Sequence, residues 1–351
     1  MNPIKIVFFL LLISYTAVFC FFPVHSTIDN SMYQIFTRGI CLIDEGNFSQ
    51  ALEEFNTLTE KYSDHPIGYF GKMVVYQSIM SNYRVRTFES EYDSLLNLII
   101  HIGKEALKKD REDIHARFFL GGAYEYRGMF KARKKDYAGA IADGLKGITE
   151  LKRVIDLDPY FYDALYGLGL YHYWRSVKTN IAGVVPFFKK GKNRGIREIW
   201  SAVRKGNFST VAGRSSLVYI YCNEGEYQKA WRLNSEIYKR YPDNPVCLYM
   251  RAFLCETLKK WDLARDAYTD LLHHIRKSEH RSNGYEAECL NGMALACYHL
   301  NDFNSALFYT EEAIEFIHSR NPSHELESPL KDFDYVIKTV YQLKKDILEE
   351  L

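Results

Sequence analysis

The sequence predicts an all-α protein: an α-solenoid of about seven helical hairpins, closed by a C-terminal capping helix. Three observations carry that expectation. A short pattern, an aromatic residue followed by a small one, recurs with a step close to 34 residues. A second small residue recurs twelve positions upstream of the first. Finally, only 9 prolines stand in 351 residues beside 27 Tyr and 22 Phe, a balance that suits stacked helices with aromatic contacts.

The pattern is legible in Gly46-Asn47-Phe48-Ser49-Gln50-Ala51-Leu52 and in Gly225-Glu226-Tyr227-Gln228-Lys229-Ala230-Trp231. It returns in Lys259-Lys260-Trp261-Asp262-Leu263-Ala264-Arg265 and in Asn301-Asp302-Phe303-Asn304-Ser305-Ala306-Leu307. Gly39, Ala252 and Ala294 are the upstream partners of Ala51, Ala264 and Ala306. Small residues on both helices of a hairpin let the backbones approach, and the aromatic fills the corner. Two units close on similar turns, Lys61-Tyr62-Ser63-Asp64-His65-Pro66 and Arg240-Tyr241-Pro242-Asp243-Asn244-Pro245, where proline stops the preceding helix. These residues resemble the tetratricopeptide repeat, a 34-residue helix–turn–helix unit.

The resemblance implies TPR-like hairpins at roughly 31–62, 66–108, 112–157, 160–205, 208–241, 244–276 and 283–318. The array thus spans 31–318, and an amphipathic helix over 329–351 caps its last apolar face. The pattern is degenerate around Gly147 and Gly195, and between 66 and 110 it rests on helical periodicity. A larger step from Gly147 to Gly195 exposes an insertion at 177–193. One closer likeness runs through Leu165-Tyr166-Gly167-Leu168-Gly169-Leu170-Tyr171-His172-Tyr173, Lys192-Asn193-Arg194-Gly195-Ile196 and the turn at 241–245. It resembles a group of exported bacterial tetratricopeptide proteins of uncharacterised function, and implies a fold and a compartment but no activity.

Residues 1–26 read as a secretory signal peptide: Lys5, an apolar run over 6–22, then Pro23 and a small residue, Ser26, before Thr27. The run is at the short limit for crossing a bilayer, so an uncleaved N-terminal anchor is the alternative. The expected location is therefore the periplasm or cell envelope. Beyond this segment the six cysteines are scattered. Cys247/Cys255 and Cys289/Cys297 stand about two helical turns apart at apolar positions, which favours buried thiols over a disulfide framework.

Catalytic signatures do not emerge. The sequence holds no HExxH, Cys-x-x-Cys, Walker A loop or Gly-x-Ser-x-Gly. Gly167-Leu168-Gly169 lies in an aromatic helical stretch with no preceding strand, so close packing explains it better than phosphate binding. His273, His274 and His280 are expected at a solvated helix end and not around a metal, because adjacent helical positions point about 100° apart. With 45 basic and 44 acidic residues the net charge is +1, and no global field favours nucleic acid. No cofactor or metal is expected.

The expected function is a non-enzymatic scaffold that binds a protein or peptide in a concave aromatic groove. Counting around the packing residues places Tyr166, Tyr173, Trp174, Tyr219, Tyr249 and Tyr298 on that face. Tyr33, Phe36, Tyr126 and His299 fall there too, and Phe119 and Phe253 are assigned to the core. Tyrosine suits recognition because its ring supplies rigid contact area and its hydroxyl tolerates water. The alternatives are a carbohydrate-binding protein or an enzyme that stacks sugars on the same aromatics, and a structural role in envelope assembly. The insertion adds Phe187, Phe188, Lys189, Lys190 and Lys192, an apolar wedge beside cations that suits a partner or anionic lipid. A second basic run spans 127–135.

Overall fold

A computed structural model describes residues 30–181 and 189–351; side chains are described for all of these except 178–181, 189 and 190. Fifteen α-helices make up the described residues. They pair as α1 (Asn30–Asp44) with α2 (Phe48–Lys61), α3 (Pro66–Tyr83) with α4 (Glu89–Lys109), and α5 (Ile114–Arg133) with α6 (Tyr137–Leu157). Next come α7 (Ala164–Ile181) with α8 (Lys189–Lys205), α9 (Thr210–Asn223) with α10 (Tyr227–Arg240), and α11 (Pro245–Thr257) with α12 (Trp261–Lys277). The last pair is α13 (Asn283–His299) with α14 (Phe303–His318), covered by the single helix α15 (Phe333–Glu350). This is the expected α-solenoid with its capping helix.

Five hairpins share one turn. Gly46, Lys135, Gly225, Lys259 and Asn301 all have positive φ, between 55° and 83°. In each, the N–H of that residue bonds three residues back and the next N–H bonds five back, as in Asn47 to the Leu42 carbonyl at 2.8 Å. This is the Schellman closure, which satisfies the last carbonyls of the first helix. Two positions later stands the aromatic that opens the second helix: Phe48, Tyr137, Tyr227, Trp261 or Phe303. The recurring sequence pattern is thus a backbone device, and it includes the hairpin at Lys135-Asp136-Tyr137, where the small-residue signal had faded.

Side-chain caps start several helices. The Asp113 carboxylate accepts from the Ala116 N–H at 2.8 Å, Asn244 from Cys247 at 2.9 Å and Asp332 from Tyr335 at 2.7 Å. Second helices bury one stripe: in α12 it is Ala264, Ala267, Tyr268, Leu271, Leu272 and Ile275. First helices are enclosed more fully, α13 most of all, because both neighbours and α15 cover it. Small residues fix the spacing. A Cβ on Gly39 or Gly71 would fall 2.4 or 2.2 Å from the Phe55 ring, which fills the gap between α1 and α3.

The seventh-to-eighth helix contact is backbone on backbone: a Cβ on Gly169 would lie 2.7 Å from the Gly195 carbonyl oxygen. Gly191 sits as closely on Ser176, so α8 stays against α7 for a further turn. For this reason the expected loop at 177–193 is largely helical: α7 runs to Ile181 and α8 begins at Lys189. Phe187 and Phe188 lie outside the described residues.

The array returns on itself. Tyr33 and Phe36 of α1 meet Phe208, with ring centroids 5.5 and 5.0 Å apart. The Asn244 side-chain amide donates to the Asp44 carbonyl at 2.9 Å. Residues 84–86 pair with 324–326 as a short antiparallel bridge, with the Arg86 N–H on the His324 carbonyl and the Leu326 N–H on the Arg84 carbonyl. Beside it Arg84 reaches Glu288 at 2.5 Å, both side chains buried. His274, expected in solvent, instead stacks at 5° on Tyr83, and His280 sits edge-on to Phe88; only His273 of the three is exposed. Closure of the superhelix covers what would be an exposed helix end.

All described cysteines are free thiols, and only Cys41 is exposed. Burial pushes Cys222 and Cys247 up to about 12, which makes them unreactive packing groups. Among the described residues no helix is long and apolar enough to cross a membrane.

Candidate functional site

The first helices of the hairpins converge on a cavity of about 300 Å³. α1 contributes Phe36 and Asp44, α3 Phe70, α5 Glu125 and Tyr126, α7 Tyr166 and Gly167, and α9 Val211. Phe208, in the turn before α9, closes one wall against Phe36. Phe70 meets Tyr126 edge-on at 6.0 Å. The Tyr166 hydroxyl is hydrogen-bonded to Ser216 at 3.0 Å, which leaves its ring as wall.

Three carboxyl groups line this space, and they differ sharply. Asp163 is buried and saturated: it accepts from the N–H groups of Asn207, Phe208 and Ser209 and from the Ser209 hydroxyl, at 2.7–3.0 Å. Its work is to hold the Phe208 turn in place. Glu125 is half-buried and faces the cavity, and burial alone raises its pKa to about 8. Asp44 is raised to about 7 by burial and by the neighbouring Glu45, against the opposing pull of Arg240.

The structure redistributes the aromatic face. Tyr166 lines the cavity as expected. Tyr173 does not: it is fully buried, donating to Glu224 and accepting from Asn223, each at 2.7 Å. The close approach of α8 at Gly195 turns it into the core, with the Gly195 Cβ position only 3.0 Å from its Cβ. Tyr249 is also buried, beneath the Arg84 guanidinium at 4.8 Å with its hydroxyl on Ser328, because residues 84–86 close over it. Trp174 keeps 37% of its surface and packs edge-on to Tyr173. Tyr219 and Tyr298 are half-buried and stand away from the cavity lining, Tyr298 packed on Phe303. Phe119 is core as expected, whereas Phe253 is only half-buried.

Among the described cations singled out in the sequence, three are engaged in ion pairs, and the side chains of Lys189 and Lys190 lie outside the described residues. Lys192 pairs with Glu224. In the run 127–135, Arg127 and Lys131 converge on Asp143 at 2.8 Å. Burial would raise the Asp143 carboxyl, but those two hydrogen bonds outweigh it and hold it at about 2. Among the described residues no group of three or more His, Cys, Asp or Glu could hold a metal ion.

Glu125 and Asp44 were missed in the sequence. The available signal was the one carboxylate of an inner helix, set between aromatics in Tyr124-Glu125-Tyr126 behind Gly121-Gly122.

No protein-family model and no curated protein matches the sequence. Solved structures do. The anaphase-promoting-complex hetero-tetramer Cut9–Hcn1 aligns with a TM-score of 0.52 at 13% identity, over 85% of this chain and 47% of that one. The chain thus spans about half the length of the Cut9–Hcn1 chain it matches. A tetratricopeptide repeat protein from Parabacteroides merdae aligns over 91% of this chain and all of its own, at 13% identity and a TM-score of 0.39. Human IFIT1, solved as a dimer with PPP-AAAA, aligns over 77% and 69% at 15% identity and a TM-score of 0.42. In its paired helices, its shared hairpin turn and the backbone likeness to the Cut9–Hcn1 chain, the chain has the fold of a tetratricopeptide-repeat solenoid.

Proposed function

We propose that the protein is a non-enzymatic scaffold, exported to the cell envelope, whose inner face holds a segment of another protein. The supporting observation is the cavity at the convergence of α1, α3, α5, α7 and α9: concave and walled by rings and aliphatic side chains with polar groups set among them. Repeat arrays present such surfaces without a cofactor. The signal-like segment 1–26, outside the described residues, supports export.

The test is crosslinking of the full chain in its native cell, followed by capture, with substitutions on the inner face as controls. A partner whose crosslinks map to α1, α5 and α7, and which is lost in Phe70→Ala and Tyr166→Ala, supports the reading. Partners that map only to α10, α12 and α14 point to structural assembly through the outer face. Oligosaccharide binding that quenches the tryptophans while peptides do not would replace the reading altogether. Mass spectrometry of the N-terminal peptide decides export: a mature chain that begins near Thr27 supports it, and an intact residue 1 in a soluble fraction refutes it.

A further inference from the structure

Glu125 occupies a slot built for it. A Cβ on Gly167 of α7 would lie 2.4 Å from its Oε2, and one on Gly147 of α6 would lie 2.8 Å from its Cγ. The two glycines therefore make the room in which the side chain lies. Among the described residues no donor hydrogen-bonds this carboxyl and no cation pairs with it. Asp44, on the same cavity, receives no described hydrogen bond at its side chain either; Glu45 and Arg240 are the charges beside it. The other polar groups of the lining are the phenols of Tyr126 and Tyr166, the saturated Asp163, the amides of Asn82 and Asn244 and the hydroxyls of Ser78, Ser209 and Ser215; none of them hydrogen-bonds Glu125. A carboxylate without a partner in an apolar surround is costly, so it stays protonated until a cation arrives. The walls suit that cation as well: aromatic faces attract positive charge, and Phe36, Phe70 and Tyr126 present rings to the same space.

We propose that the cavity receives a lysine side chain of the partner segment, its butyl stem along Phe70 and Phe208 and its ammonium at Glu125. This rests on the reading of the inner face as a peptide-binding surface and names what that surface selects. Lysine fits better than arginine. A guanidinium seeks both oxygens of a carboxylate in one plane, and here Oε2 is pressed onto Gly167; an ammonium is a compact charge that one open oxygen can meet. Binding ionises Glu125, whose proton leaves to solvent.

Calorimetry on the full chain tests this with acetylated pentapeptides that carry Lys, Arg, norleucine or Glu at the centre, and with n-butylammonium as a free amine. The lysine peptide should bind tightest and weaken about 10- to 100-fold in Glu125→Gln, the loss expected of a hydrogen bond to a charged group. Its affinity should fall as the pH drops from 8.5 to 6, and protons should be released near pH 7. Equal affinity for the lysine and norleucine peptides, or an unchanged affinity in Glu125→Gln, overturns the proposal. Equal affinity for n-butylammonium and the lysine peptide also overturns it and assigns the site to a small amine. Crosslinked partners retained equally by wild type and Glu125→Gln leave the inner-face reading standing and sink only this one. Should Glu125→Gln fail to fold by circular dichroism, the wild-type preference for the lysine over the norleucine peptide and its loss between pH 8.5 and 6 carry the test.

Discussion

Replacement of Glu288 by Gln should cost the protein far more than loss of a hydrogen bond. Arg84 and Glu288 are 5% and 2% exposed at their side chains, and the guanidinium is sandwiched over Tyr285 at 3.6 Å and Tyr249 at 4.8 Å. Burial works against the charge on Arg84, but Glu288 and the two phenols outweigh it and hold the group above its ordinary pKa. Arg84 therefore stays charged, and Glu288→Gln leaves a buried cation without its counter-ion, a loss of about 3–5 kcal/mol. The pair is also imperfect: Arg84 Nη2 and Glu288 Oε1 have no hydrogen-bond partner. Double replacement by Arg84→Met and Glu288→Leu removes both charges and both unsatisfied atoms. It should come out between neutral and about 4 kcal/mol more stable than wild type. Equilibrium urea unfolding of wild type, Glu288→Gln and the double variant at pH 7.5 gives both differences. A loss below about 1 kcal/mol in Glu288→Gln is the behaviour of a solvated ion pair and would refute the claim that this one is sealed.

Other expectations follow from single features. Because Glu125 and Asp44 titrate near 8 and 7 in the folded chain, above their unfolded values, the folded state binds more protons in this range. Stability should therefore fall as pH rises from 6.5 to 8.5, and the Tm slope should flatten in the Glu125→Gln, Asp44→Asn double variant. Below pH 6.5 the buried His65 and the half-buried His115, with pKa values lowered by desolvation, act in the opposite sense. Gly225→Ala places a Cβ in open space at φ 72°, so its cost of about 1–2 kcal/mol by urea unfolding is that of backbone alone. Lys259→Gly, in the same turn geometry at φ 55°, should be neutral or slightly stabilising. Tyr173→Phe leaves Asn223 and Glu224 short of a partner and should cost about 1–3 kcal/mol, read as a lowered urea midpoint.

Local features of the fold could be read directly. Gly46-Asn47-Phe48 and its relatives announce a positive-φ turn and the first residue of a helix, and both are properties of neighbouring residues. Ala264 was legible as the small residue of its unit, whereas Gly292, where a Cβ would fall 2.3 Å from the Tyr268 ring, was not, because its partner lies on the preceding helix. The site was not. Counting around a helix placed Tyr173 and Tyr249 on the concave face, which is correct for an isolated hairpin. It cannot foresee that Asn223 and Glu224, fifty residues on, capture one hydroxyl, or that residues 84–86 cover the other. Glu125 and Asp44 lie in different hairpins and share a cavity only once the superhelix has turned. Tyr166 was placed correctly because its surroundings come from adjacent repeats.

The bond between Arg84 and Glu288 spans 204 residues in a chain whose other contacts are mostly between neighbours. On a ribosome that elongates at about 5–20 residues per second, Glu288 follows Arg84 by roughly 10–40 seconds. Throughout that interval the first hairpins are complete while Arg84 has no counter-ion and its aromatic sandwich does not yet exist. The nascent array is then an open spring, with Tyr83 and Phe88 uncovered, and it becomes a ring only as the last hairpin emerges. A chaperone that shields residues 83–88 would act in that window, and synthesis halted before residue 274 should leave the same stretch accessible to protease.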